Sequence, residues 1–242
     1  HQGGYMRIPL MSIPRFGFGI KGLDEMLSGG LIEGTVSSII GAYGTGKTNF
    51  AQYYIWQGLI QGQSALYITL EERTSRILGY MENKGWDVSQ YLDSTFTIVN
   101  LDPSDFNLAI NSVKNELPTL IKKTGAHRVV IDPVSLFEDL FHDDATRRRE
   151  MMRFLESLRD LNCTSLLISE ADKTNTFASK YNLIEYLSDT VILLKYARGE
   201  DVNDVHLAIE VVKMRMSQHS REVKPFEIHQ DSVTVYTEAT VF

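Results

Sequence analysis

The run Gly41-Ala42-Tyr43-Gly44-Thr45-Gly46-Lys47-Thr48 fits the pattern G-x-x-x-x-G-K-[ST] at every fixed position. Glycines at these places let the backbone turn tightly enough for successive N–H groups to point inward at phosphate oxygens, and the following helix adds its positive N-terminal end. Lys47 is expected to reach the β- and γ-phosphates of a nucleoside triphosphate, and the Thr48 hydroxyl to ligate Mg²⁺. With Asn49 opening the helix, residues 41–49 form the candidate nucleotide-binding run. Two further carboxylate features stand at strand ends. Val129-Val130-Ile131-Asp132 is an apolar run closed by an Asp, which beside a phosphate loop would hold the Mg²⁺ hydration shell. Glu71-Glu72 follows Ala65-Leu66-Tyr67-Ile68-Thr69-Leu70. One of these acids could polarise the water that attacks the γ-phosphate; both could equally be a solvated acidic helix start, since Arg73-Thr74-Ser75-Arg76 reads as the beginning of a helix.

These residues need a scaffold that brings strand ends together. Thr35 to Ile40 reads as a buried β-branched strand and Asn49 to Trp56 as a helix, so the loop has the strand, loop, helix context it requires. Before it, an amphipathic turn of helix lies between the glycine clusters at 17–22 and 29–30. Further strands are expected over Ser64–Leu70, Thr95–Leu101, His127–Asp132, Cys163–Ser169 and Thr190–Leu194, separated by helices. One of these runs from roughly Asp105 to Lys123, where Pro118 allows a break before it, and another from about Thr146 to Leu161. That alternation predicts an α/β fold with a mainly parallel sheet. After Leu194 the rhythm changes. A turn over Gly199–Asp204 and runs at Val205–Met216, Arg221–His229 and Val233–Thr237 predict antiparallel strands extending the sheet edge, with Lys213 and Arg215 two apart and on one face.

The chain of 242 residues is 43% hydrophobic and 23% charged, with a net charge of −7, which fits an ordinary globular protein and supplies no global field toward nucleic acid or anionic membrane. The single cysteine, Cys163, lies in an apolar run and reads as a small core residue in a reducing cytoplasm. No run approaches the ~20 apolar residues of a membrane span. Residues 1–10 read as an expression remnant and N-terminal extension ahead of a single domain over 11–242.

With both nucleotide motifs placed, the chain from about Gly17 to Val235 resembles the RecA-like ATPases, and within them single-domain KaiC-like proteins. The marks are Gly22-Leu23-Asp24 with Gly29-Gly30-Leu31, the 41–48 loop, Thr69-Leu70-Glu71-Glu72, Gly85-Trp86-Asp87, Val129 to Asp132, Ser188-Asp189-Thr190, Lys213-Met214-Arg215-Met216-Ser217-Gln218-His219, and Pro225-Phe226. The resemblance implies that Glu71 and Glu72 are the catalytic pair acting with Lys47, that ATP or ADP and Mg²⁺ are the cofactors, and that the metal is held by Thr48 and Asp132. It also implies that Lys213, Met214, Arg215, Ser217 and His219 reach the triphosphate of a neighbouring subunit, so that the working form is a ring, most simply a homohexamer. Met216 stands where the family usually has Gly after its Lys-x-Arg, and Tyr43 stands where a small residue is common. The adjacent Ser-Thr phosphorylation pair of the clock protein is not identified.

Three functions follow from the resemblance. The leading one is a slowly hydrolysing cytoplasmic ATPase whose assembly answers to nucleotide and is read by a protein partner. A RadA-like accessory protein binding DNA is a second. There the loop after Asp132 carries Glu138, Asp139, Asp143 and Asp144 without a base, and the loop after Ser169 balances Glu170 and Asp172 with Lys173 and Lys180, while Arg147-Arg148-Arg149 and Arg153 form a basic run. A nucleotide-binding structural subunit, as in the archaellum motor, is the third.

Overall fold

Residue alternation sorts side chains to the two faces of the central strands, and this sorting builds a three-layer molecule. The computed structural model describes residues 13–198, 203, 205–230, 232–239 and 241. The N-terminal extension and, apart from Asn203, the turn expected over Gly199–Asp204 lie outside the described residues. In chain order the strands are β1 (Arg15–Phe16), β2 (Leu31–Ile32), β3 (Val36–Gly41), β4 (Ala65–Thr69), β5 (Phe96–Asn100), β6 (Arg128–Asp132), β7 (Thr164–Glu170), β8 (Thr190–Arg198), β9 (Val205–Met214), β10 (Lys224–Ile228) and β11 (Val233–Val235). The helices are α1 (Lys21–Met26), α2 (Lys47–Ile60), α3 (Thr74–Asn83), α4 (Phe106–Asn111), α5 (Leu117–Thr124), α6 (Ser135–Glu138), α7 (Asp144–Asp160) and α8 (Ile184–Leu187).

Among the described residues one nine-stranded sheet has the order β11-β10-β9-β8-β3-β7-β6-β4-β5. The segment from β8 through β3, β7, β6 and β4 to β5 is parallel, and β9, β10 and β11 extend it antiparallel. The expected α/β architecture with a parallel sheet and antiparallel C-terminal extension is what forms. On β4 and β6, Tyr67 and Val130 join a core with α1, α2 and α3, whereas Leu66, Ile68, Val129 and Ile131 join the opposite core with α5, α6 and α7. Strands covered on both faces read as continuous apolar runs, which is why the sequence located them.

Two features depart from the expected elements. The helix over 105–123 does not break; α4 and α5 are joined by a π-turn at Ser112–Glu116. Pro118 has no N–H to give Lys114 and its ring would clash with that carbonyl, and widening the turn accommodates both defects without ending the helix. The second is Arg128, at the start of β6 and fully buried at 0% exposure. Its guanidinium donates to the carbonyls of Gly17 and Tyr54 at 2.5 and 2.9 Å and to Gln63 Oε1 at 2.7 Å, and it lies over the Phe16 and Tyr54 rings. Arg128 thus ties the N-terminal segment and α2 to the sheet end remote from Asp132.

Gly58 on α2 makes room for it, since a Cβ there would lie 2.5 Å from Arg128 Cδ and 2.6 Å from Nε. Alanine normally gains ~1 kcal/mol over glycine inside a helix. At this site the pinned guanidinium cannot retreat, and overpacking of this kind costs about 1–3 kcal/mol. Gly58→Ala is therefore expected to lower the thermal unfolding midpoint; a raised midpoint would contradict this account of Arg128.

Candidate functional site

Parallel pairing brings the C-terminal ends of four adjacent strands to one edge. Gly41 of β3 sits beside Glu170 of β7, and Thr69 of β4 beside Asp132 of β6. The loop from Gly41 and the N-terminus of α2 meet this edge, forming a cleft of about 310 Å³ lined by Tyr43, Gly44, Gly46, Lys47, Thr48, Thr69, Glu71, Glu72, Asp132, Pro133 and Glu170. Its size is in the range of small-molecule sites.

The loop has the backbone its glycines are needed for. Gly44 and Gly46 adopt φ of 81° and 90°, a region that side-chain-bearing residues avoid. Thr45 Oγ1 donates to the Ala42 carbonyl at 2.7 Å, closing the turn from inside, and Asn49 N donates to the Gly46 carbonyl at 3.0 Å as α2 begins. Lys47 Nζ folds onto the Gly41 and Ala42 carbonyls at 2.7 and 3.1 Å. Burial pushes its pKa below the usual lysine value, while Glu170, Asp132 and Glu71 push back. Tyr43 is 97% exposed at the mouth of the cleft, and its carbonyl accepts from Tyr196 Oη at 3.1 Å.

Thr48 Oγ1 donates to Asp132 Oδ2 at 3.0 Å, so the hydroxyl and carboxylate proposed for the metal are together. Tyr67, fully buried on β4, donates its hydroxyl to the same oxygen. Burial raises the Asp132 pKa above the ordinary aspartate value, and the Tyr67 and Thr48 hydrogen bonds oppose that rise. These are hard oxygen donors of the kind Mg²⁺ takes. Among the described residues no three or more His, Cys, Asp or Glu side chains are grouped to hold a metal alone.

The structure distinguishes the paired acids. Glu71 lies in the cleft, where burial first and then the charges of Glu170, Asp132 and Glu72 raise its pKa above the usual glutamate value. Glu72 lines the cleft and also pairs with Arg76 of α3 at 3.5 Å, so the helix-start reading applies to it as well. Thr69 Oγ1 bridges the Glu72 backbone, donating to its carbonyl at 2.8 Å and accepting from its N–H at 3.0 Å, while Asn100 Nδ2 donates to that carbonyl at 3.0 Å. This bracing holds the turn that aims both acids.

Lys213 and Arg215 are not in this cleft. Lys213 Nζ donates to the carbonyls of Glu185 and Tyr186 at 3.1 and 3.3 Å, and Arg215 donates to the Tyr186 carbonyl at 3.1 Å and pairs with Asp189 at 3.4 Å. Asp189 also accepts from Val36 N at the start of β3 and pairs with Arg159 at 3.2 Å. The two cations therefore stand at the opposite end of β3 from Gly41, roughly 16 Å along the strand at 3.3 Å per residue. Met214 between them is buried in the core, while Met216 takes a left-handed φ of 60° at 58% exposure. A left-handed backbone is one that glycine adopts without strain, and the methionine adopts it at a cost of about 1–2 kcal/mol. Ser217 Oγ and His219 Nδ1 are engaged with the neighbouring carbonyls of Gln218 and Ser220.

Sequence reasoning passed over Glu170 and Tyr67. Glu170 carries the strand-end signal that singles out Asp132, but in sequence it reads as one charge of a balanced loop. Tyr67 had no signal beyond being one aromatic in an apolar strand. Of the basic run on α7, Arg147 is withdrawn into the fold, while Arg148, Arg149 and Arg153 stay on the surface. Arg147, 7% exposed, donates to the carbonyls of Glu138 and Phe141 and pairs with Asp144, and Arg149 and Arg153 both pair with Glu150.

A family profile described as ATPase, KaiC matches residues 17–240. The chain belongs to the KaiC ATPase family. It is 32% identical over 238 residues to a UPF0273 protein of Thermotoga maritima, covering 93% of this chain and 96% of that one. It is 27% identical over 236 residues to the circadian clock oscillator protein KaiC of Parathermosynechococcus lividus, of which it spans only 43% of the length. The crystal structure of a KaiC-like protein from Pyrococcus horikoshii matches with a TM-score of 0.81 at 29% identity, covering 93% of this chain and 99% of that one. Membership supports a nucleotide-binding ATPase on a RecA-like fold, with Mg²⁺ as the usual companion of the nucleotide. Among the described residues no helix is long and apolar enough to cross a membrane.

Tyr67→Phe keeps the ring and removes the donor to Asp132. Hydrogen bonds to charged groups are worth about 1.5–3 kcal/mol. The Tyr67 bond favours ionised Asp132, so its contribution is present above the Asp132 pKa and is lost as pH falls through it. Urea unfolding should show Tyr67→Phe less stable at neutral pH with a deficit that shrinks in acid; a deficit independent of pH would contradict the pairing.

Proposed function

We propose that the cleft binds MgATP and hydrolyses it slowly, and that Lys213 and Arg215 of each subunit complete the site of the next in a ring whose assembly transmits nucleotide state to a protein partner. The observation that carries this reading is the placement of the two cations. Both are held together by the Glu185, Tyr186 and Asp189 anchors, at the sheet end where they cannot serve their own cleft. The loop's N–H groups and Lys47 would bind the β- and γ-phosphates, and Mg²⁺, held by Thr48 and through water by Asp132, would neutralise phosphate charge. Glu71 is the general base. It orients a water onto the γ-phosphorus and accepts its proton as the bond to the β–γ bridging oxygen breaks, leaving ADP and phosphate. Its elevated pKa suits it to this, because the base must lie near working pH and be ionised to act. Arg215, with Lys213, would balance the charge on the transferring group, an effect worth ~10³–10⁵ in rate for fingers delivered in trans.

Light scattering of the nucleotide-free, ADP and MgATP forms, with phosphate release followed on the same samples, tests the reading. A nucleotide-dependent hexamer is expected. Turnover should be lost in Lys47→Ala and in Glu71→Gln/Glu72→Gln, and fall at least ~10³-fold in Arg215→Ala. Unchanged hydrolysis in the first two variants would refute the site, and a turning-over monomer would refute the shared interface. The rate should also rise with pH through the Glu71 ionisation, which burial and the neighbouring carboxylates shift upward from the usual glutamate value, and a flat profile down to acid pH would count against Glu71 as base.

A further inference from the structure

Glu138, the last residue of α6, is fully buried at 0% exposure, and neither of its carboxylate oxygens has a hydrogen-bond partner. Ser135 Oγ, one turn earlier, is likewise buried without a partner. The surrounding groups are committed elsewhere. Arg147 of α7 gives Nε to the Glu138 backbone carbonyl at 3.0 Å and its other nitrogens to Phe141 O and to Asp144 at 2.8 Å, while its face stacks on the Tyr181 ring at 3.8 Å. Glu185 of α8 accepts from Ser179 N and Oγ, both at 2.7 Å. Asp139 pairs with Lys180 at 2.8 Å and accepts from the Tyr181 hydroxyl. The turn over 135–147 and the segment over 179–187 are thus fastened by Tyr181, Lys180 and Arg147, with Glu138 buried and Glu185 the like charge that acts on it most strongly.

An ionised carboxylate with no donor in such a place costs far more than a neutral acid. The geometry points to Glu138 as a proton-held joint: kept as a neutral carboxylic acid, it lets the 135–147 turn pack against the 179–187 segment, and loss of the proton sets it against Glu185 and loosens that packing. Burial first, then the Glu185 charge and to a lesser degree Asp139, lift its pKa to about 8 against the opposing pull of Arg147 and Lys180. The joint bears on the shared site because the carbonyls of Glu185 and Tyr186 hold Lys213 and Arg215. Alkaline opening would loosen both cations. The inference about the joint itself does not depend on nucleotide hydrolysis.

The sign follows from linkage. The unfolded chain releases the Glu138 proton near 4.5 while the folded one keeps it to about 8, so this group's contribution to stability falls as pH rises between the two and is level beyond. The full chain, Glu138→Gln and Glu185→Gln would be compared by thermal unfolding and by hydrogen exchange of 179–187, each exchange rate divided by its intrinsic hydroxide-driven value. The expected result is a wild-type midpoint that falls relative to Glu138→Gln across this window. Exchange of 179–187 should rise above about pH 8 in wild type, be flat in Glu138→Gln, and rise less in Glu185→Gln, where the facing charge is gone. Should Glu138→Gln not fold, Glu185→Gln and the carbon-13 shift of the Glu138 carboxyl still decide. An alkaline rise of equal size in Glu185→Gln, or a carboxyl already ionised in mild acid, would overturn the inference.

Discussion

The register of four parallel strands is the constraint on which the site depends. With β3, β7, β6 and β4 hydrogen-bonded in order, Gly41, Glu170, Asp132 and Thr69 arrive at one edge with little freedom to slip. A shift of one residue would turn every side chain to the other face and drive apolar groups out of one of the two cores. Holding register therefore also holds three carboxylates near one lysine, which is unfavourable locally: burial depresses the Lys47 pKa and raises those of Glu71 and Asp132. The cores stabilise an edge whose charges repel, as ligand sites at the carboxyl ends of parallel strands commonly require.

The two ends of the sheet are built differently. At the edge bearing Asp132 the polar groups line an open cleft and bond to one another, Thr48 and Tyr67 to Asp132 and Lys47 to the loop carbonyls. At the other end Arg128 donates to the carbonyls of Gly17 and Tyr54 and to Gln63, and Asp189 accepts from Val36 N and pairs with Arg159 and Arg215, so that end is tied into the fold from several elements. Arg215 is attached to the fixed end through Asp189. Under the proposed intersubunit role this anchor would matter, because a freely rotating arginine would lose much of its effect to side-chain entropy. The turn at Met216, held in a left-handed conformation, starts directly beyond it.

Much of this was legible in the chain. The phosphate loop announces itself because its chemistry needs glycine and lysine at fixed spacing, and Asp132 and the strands announce themselves because burial on both faces needs apolar runs. The antiparallel extension was readable from its change of rhythm. What stayed hidden depends on contacts distant in sequence. Nothing near Arg128 says that it is buried, since Gly17, Tyr54 and Gln63 come from other elements, and nothing near Glu138 says that it lacks a partner. Arg147 looked like part of a solvated basic face because its targets, the carbonyls that end the preceding turn, carry no residue-type signature. Pro118 suggested a break since the sequence shows the missing donor but not the π-turn that absorbs it.

The central claim is that one catalytic site is assembled from two subunits, and mixing two disabled variants tests it most directly. Glu71→Gln lacks the base in its own cleft but still presents Arg215, while Arg215→Ala has an intact cleft and no finger. Each alone should be nearly inactive. After co-assembly, about one interface in four should join an intact cleft to an intact Arg215 under random mixing in a closed ring, and phosphate release should return to roughly that share of the wild-type rate. Mixed rings that form with both variants present yet stay as inactive as either parent would contradict the account.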